Sequence, residues 1–221
     1  MSHFDAELTA LKEKLLLMAS RSEATVTYSI RALVERDDDL ARGVEADDDA
    51  IDRLEIEIDE DSIRMLAKAP LASQLRLIIC ASKIARDLER IGDEATTIAR
   101  RSIELNTEPQ LKPYVDIPRM AQMAMEMLRD ALGAFTSGDT ERARQVIPRD
   151  RDVDALNKQL YRELASFMIE KPTTITRCLS LMAISKALER IADHAKNVAE
   201  EVVYLYEAKD IRHTGSLEIG R

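Results

Sequence analysis

The second half of this chain repeats the first, and that constrains the fold more than any other feature. At an offset of 102 residues, "ALVERDDDLARGV" from Ala32 meets "AFTSGDTERARQV" from Ala134, pairing Asp37 with Asp139 and Arg42 with Arg144. "DDAIDRLEIEI" from Asp48 then meets "DRDVDALNKQL" from Asp150, and Pro70 falls on Pro172. Beyond the prolines the offset becomes 100, and "LERIGDEA" from Leu88 recurs as "LERIADHA" from Leu188. One order of matches with one short gap marks an internal repeat, so the chain must be two copies of one structural unit.

Each copy reads as three helices. Apolar residues recur at spacings of three and four: Ile51, Leu54, Ile58 and Met65; Ile84, Leu88, Ile91, Ala95 and Ile98; Val153, Leu156, Leu160, Leu164 and Phe167. Such stripes are the buried faces of amphipathic helices. With 4 % aromatic residues and no Trp, a β-sandwich is disfavoured, so the fold class is all-α, two tandem three-helix bundles.

Breaker residues set the expected boundaries. The first helix runs from about Asp5 to Arg42 and stops near Gly43. The second starts after "EADDD" and ends before Pro70, and the third runs from about Ala72 to Leu105. These make a first bundle over 1–108, followed by a linker over 109–118 that contains Pro109, Pro113 and Pro118. The second bundle covers 119–209 with breaks at Pro148 and Pro172, and a non-periodic tail from Asp210 is expected to fray.

The repeated LERI segment carries an electrostatic penalty. Glu89 and Asp93 lie four apart, as do Glu189 and Asp193, and like charges at that spacing weaken a helix by a few tenths of a kcal/mol. On a helical wheel both acids fall opposite the apolar stripe of their own helix. The second helix adds Asp48, Asp52, Glu55 and Asp59, answered in the repeat by Asp150, Asp154, Asn157 and Tyr161. Acid pairs on neighbouring helices can place four carboxylates around one groove. Carboxylates so gathered either gain proton affinity or bind cations, and their hard oxygens suit iron, manganese, magnesium or calcium, with zinc possible. His194 could add a nitrogen in the second half only, and Arg90 and Arg190 stand beside the acids as charge-balancing partners or docking contacts.

"DLERIGDEATTIARR" and "ALERIADHAKNVAEEVVYLYEAKDIRH" resemble the two signature helices of the PhoU family, and the resemblance covers nearly the whole chain. It implies two tandem three-helix bundles whose acid–xxx–acid motifs hold surface metal clusters of iron or zinc. Carried over by position, the implied ligands are Asp48, Asp52, Glu89 and Asp93 in the first half and Asp150, Asp154, Glu189 and Asp193 in the second. Gly92 against Ala192 and Glu94 against His194 mark where the two sites depart from each other. The implied function is a negative regulator of the phosphate-starvation response. It would couple the ATPase of a phosphate ABC transporter to a membrane sensor histidine kinase, as a homodimeric, cytoplasmic adaptor.

Composition bears on the alternatives. A net charge of −9 argues against nucleic acid as a partner. No run of 18 apolar residues is present and the amino terminus lacks a signal-peptide pattern, so a membrane would be reached only indirectly, through partners. Cys80 and Cys178 occupy non-equivalent repeat positions without a CxxC, as buried thiols in a reducing compartment do. A diiron-carboxylate enzyme would call for Glu-x-x-His pairs, which do not occur, and no nucleophile–His–acid set or phosphate-binding Gly loop is present. A metal-free helical scaffold is the remaining alternative.

Overall fold

A computed structural model describes residues 3–68 and 71–212. The described residues contain helices and no strands: α1 (His3–Glu35), α2 (Asp38–Leu66), α3 (Ala72–Asn106), α4 (Asp116–Ser137), α5 (Thr140–Val146), α6 (Asp150–Glu170) and α7 (Ile175–Glu207). Short 3₁₀ turns at Ile147–Arg149 and Pro172–Thr174 precede α6 and α7. The second repeat therefore breaks at Pro148 and Pro172 as expected. The expected break at Pro70 lies outside the described residues, as do His213 and the tail beyond it.

The boundary between the first two helices is corrected. The first helix ends at Glu35, not Arg42, and Gly43 lies inside α2. The chain turns at Arg36, whose φ is 57°, and Asp37 caps α2 by accepting from the backbone N–H groups of Asp39 and Leu40. An N-cap carboxylate satisfies donors that the first turn leaves free, and this outweighs the modest penalty of a helical glycine. The repeat builds the same corner with Gly138 at φ 72° and Asp139 as the cap of α5. The segment between α3 and α4 covers 107–115, beginning and ending earlier than the expected linker over 109–118. Helix α4 begins at Asp116, placing Pro118 in a first turn where its missing N–H costs little.

Both corners are stitched to the end of the third helix of their own repeat. The Arg36 guanidinium donates to the carbonyls of Asn106 and Glu108 at 2.8 and 2.7 Å. In the second repeat the Tyr206 hydroxyl donates to the Phe135 carbonyl at 2.8 Å. Asn106 and Tyr206 are equivalent positions at the offset of 100.

Helices α1, α2 and α3 pack together, α4 to α7 pack together, and α3 lies along α7, so the buried residues form one apolar core running through both repeats. Leu88, Ile91 and Ala95 of α3 and Leu188, Ile191 and Ala195 of α7 are fully buried within it. Ser22 Oγ donates to the Leu88 carbonyl at 3.1 Å, fixing α1 against the segment that carries the acids.

Candidate functional site: two acidic seams

The glutamate of each pair does not point to open solvent, which corrects the wheel reading for that residue. The side chains of Glu89 and Glu189 are only 16 % and 12 % exposed, although Asp93 and Asp193 remain 44 % exposed. A wheel of α3 alone registers the stripe that meets the core, but α2 covers the adjoining flank. Gly92 shows how close that cover is. A methyl group there would stand 2.9 Å from Asp48 Oδ1 and 3.1 Å from Ile51 Cδ1. Glycine lets the acidic edge of α2 settle onto the acidic edge of α3.

Crowding and burial raise proton affinity in this first seam. Burial pushes the Glu89 carboxyl up to about 7, reinforced by Asp93 and opposed by Arg90. Asp48, Asp52 and Glu55 are raised for the same first reason, burial, with Asp52, Asp93 and Asp59 as the respective leading charges. Among the described residues, Arg90 makes the ion pairs of this seam, 3.4 Å from Glu89 and 3.0 Å from Asp93. Asp48 Oδ1 is buried without a hydrogen bond of normal geometry, although the nearby Thr96 hydroxyl favours the charged form of Asp48. An anionic oxygen in that position is costly without a cation or a proton.

The structure thus gathers Asp48, Asp52, Glu89 and Asp93 along the α2–α3 seam, together with Glu55. Along the α6–α7 seam it brings Asp150 together with Asp193 and Asp154, while Glu189 lies on α7 paired with Lys186. Among the described residues, no three His, Cys, Asp or Glu side chains converge on a single point that one ion could fill. Each seam holds a buried carboxylate oxygen without a hydrogen bond, Asp48 Oδ1 in the first and Asp150 Oδ1 in the second, and carboxylates of this kind are the donor type that suits a hard cation.

The second seam is different. Lys196 Nζ lies 2.9 Å from Asp150 Oδ2 and 2.9 Å from Asp193 Oδ1, and Lys186 pairs with Glu189. Burial works against the Lys196 charge, but the two carboxylate hydrogen bonds win and raise its pKa. Sequence reasoning missed Lys196, although the repeat alignment exposes it as the partner of Thr96.

His194 does not serve the second seam. Its Nδ1 meets Asp87 Oδ1 at 2.8 Å, and Arg190 reaches Glu94 at 3.1 Å, so positions 94 and 194 belong to the contact between repeats. The same contact carries Lys83 and Arg212, both paired with the buried Glu201, so Arg212 is held at the start of the expected tail. Cys80 and Cys178 are free and buried, and burial pushes the Cys80 thiol up to about 12.

The fold and its seams define a class: an internally duplicated, all-helical protein with an acid-lined seam between two helices of each repeat. The family model for the PhoU domain matches residues 15–102 and again 117–202. The chain belongs to the PhoU family. It is 44 % identical over 214 residues to the phosphate-specific transport system accessory protein PhoU homolog of Pseudomonas putida, covering 96 % of this chain and 84 % of that one. It is 32 % identical over 219 residues to the accessory protein PhoU of Escherichia coli (strain K12), covering 99 % and 91 %. The crystal structure of PhoU from Pseudomonas aeruginosa matches with a TM-score of 0.91 at 41 % identity, covering 94 % of this chain and 100 % of that one. The phosphate transport system regulatory protein PhoU from Streptococcus pneumoniae matches with a TM-score of 0.89 at 29 % identity, covering 95 % and 99 %.

Proposed function

We propose that this protein is a regulatory accessory of a phosphate-specific transport system, silencing the phosphate-starvation response when phosphate is plentiful. It acts by engaging the transporter ATPase and a membrane sensor histidine kinase from the cytoplasmic side, without catalysing a reaction of its own. The observation that carries this reading is the extent of the likeness: relatives named for that system align with almost the whole chain, across both repeats. No helix among the described residues is long and apolar enough to cross a membrane, which suits recruitment through partners. Ile79 on α3 and its repeat equivalent Leu179 on α7 are exposed at 43 % and 56 %, which supports two related docking faces for partners or for a second copy in a homodimer.

Asp48, Asp52, Glu89 and Asp93 are the proposed ligands for a hard di- or trivalent ion such as iron, manganese or magnesium, supported by the orphaned Asp48 oxygen and by the raised proton affinity of the first seam. The ion would hold α2 to α3 by neutralising carboxylates on both. The functional reading is tested by deleting the gene and following a starvation-responsive reporter in phosphate-rich medium. The expected result is a reporter locked on. A reporter that stays off, with transporter and kinase intact, refutes the regulatory role.

A further inference from the structure

We propose that the open groove between α2 and α3, beside the turn that joins them, binds a basic amphipathic helix of a partner protein. The inference rests on the adaptor reading above for the existence of a partner, and it names the surface and the chemistry that surface takes.

Helix α2 runs antiparallel to α3: Asp38 meets Asn106, Glu45 meets Arg100, and Asp59 accepts from Ser82 Oγ. Beyond that last bond, Ile63 and Leu66 of α2 and Ile78 and Ile79 of α3 line a groove of about 280 Å³. Ile78 is its buried floor, whereas Ile63 is 70 % exposed. Ile56 continues the apolar line of α2 and is 57 % exposed. Ile56 and Ile63 lie seven residues apart, about 10.5 Å along the helix axis. Large apolar side chains gathered in the open mark a contact surface, and this spacing suits the i, i+3/i+4 and i+7 anchors of a helix laid into the groove.

The rim sets the sign of the occupant. Over residues 49–66 the chain carries seven acids against two arginines, a net −5. Arg64 is held by Asp61, which also takes Lys14 on the side facing α1. Lys83, the cation among the residues lining the groove, is drawn to Glu201 of α7 at 3.1 Å. Arg86 is attracted to Glu55 and offsets one acid. Glu60, between Ile56 and Ile63, and Asp59 keep the edge anionic. Such an edge repels anionic lipid and nucleic acid alike, so the occupant that fits is a protein helix with Lys or Arg flanking its apolar face.

The second repeat does not reproduce this surface. Ile56, Asp59, Glu60 and Ile63 are answered by Lys158, Tyr161, Arg162 and Ala165, and the aligned residues 151–168 carry three acids and three bases. Leu179 stays exposed there, but without an acidic edge. The two related faces therefore suit partners of different charge.

The test uses the full chain and two fluorescein-labelled helical peptides that share a leucine face, one with lysine and one with glutamate on the polar face. Anisotropy reads binding and amide exchange reads its place. The lysine peptide should bind, weaken as salt rises, and protect α2 and the first half of α3, and the glutamate peptide should not bind. Ile63→Ser with Ile79→Ser should weaken binding about tenfold or more. Asp59→Asn with Glu60→Gln should slow association and flatten the salt dependence, while the asparagine keeps an acceptor for Ser82. Ile169→Ser with Leu179→Ser, in the second repeat, should bind as wild type. Circular dichroism and thermal unfolding establish that each variant folds. Equal binding of the two peptides overturns the proposal, as does no binding of the lysine peptide or a loss that follows the second-repeat variant. Self-association, or binding to phosphatidylglycerol vesicles, that Ile63→Ser with Ile79→Ser abolishes would overturn it in favour of a second copy or a lipid surface. A failure here with gene deletion still locking the starvation reporter on refutes the groove alone. A reporter that stays off while the groove holds the lysine peptide refutes the regulatory role alone.

Discussion

Replacing Glu89 by Gln should stabilise the metal-free protein above pH 7 and leave it almost unchanged at pH 4. The carboxyl is pushed from 4.5 up to about 7 in the folded chain, so between those values the folded state holds a proton that the unfolded state has lost. Stability then falls as pH rises through that window, and the loss persists at higher pH. At 1.36 kcal/mol per pK unit the ceiling is about 3 kcal/mol. The side chain keeps 16 % of its exposure and Arg90 lies 3.4 Å away, so the variant forfeits a partly screened ion pair. A net gain of about 1–2 kcal/mol at pH 8 follows, or a rise in Tm of roughly 2–8 °C for a domain of this size. Urea unfolding of both proteins in excess chelator, at pH 4 and pH 8, measures it. Added Mn²⁺ should stabilise wild type at pH 8 and the variant less. A variant no more stable than wild type at pH 8, or one with the same pH slope, would show that burial and Asp93 impose no such cost.

Gly92→Ala should lower stability by about 1 kcal/mol. The new methyl meets Asp48 Oδ1 and Ile51 Cδ1 at 2.9 and 3.1 Å, and overpacking of about 1–3 kcal/mol outweighs a helix-propensity gain of roughly 1. A net stabilisation in urea unfolding would mean that α2 recedes without cost. Asp37→Ala and Asp139→Ala should each lower stability by about 1 kcal/mol, because both carboxylates cap a helix after a left-handed residue. Thermal unfolding that leaves either variant unchanged would remove that cap from the account.

The duplication, the helical class and the breaks at Pro148 and Pro172 were legible because they rest on spacing and on proline, whose missing N–H acts locally. The α1–α2 corner was misread for an equally local reason. Gly43 carries the stronger breaker signal in composition. The chain instead turns at Arg36, where two carbonyls at the end of α3 hold the guanidinium and stabilise a backbone conformation uncommon outside glycine. That support comes from residues some seventy positions away, which no local pattern records. The candidate acids were legible in identity and pairing but not in direction. A wheel ranks the faces of one helix, and the burial of Glu89 depends on where a second helix lands.

The two seams also show what duplication leaves free to change. Both repeats retain the acid–xxx–acid pairs, so both inherit the same repulsion, yet the structure offsets it by different means. In the second repeat Lys196 bridges Asp150 and Asp193, although one oxygen of Asp150 stays buried without a hydrogen bond. In the first repeat Arg90, half exposed, answers only the α3 pair, and Asp48 and Asp52 of α2 are left raised in proton affinity, with the Thr96 hydroxyl only partly relieving Asp48. Because α3 packs along α7, a shift of the acidic edge of either helix reaches the contact through which the repeats are joined.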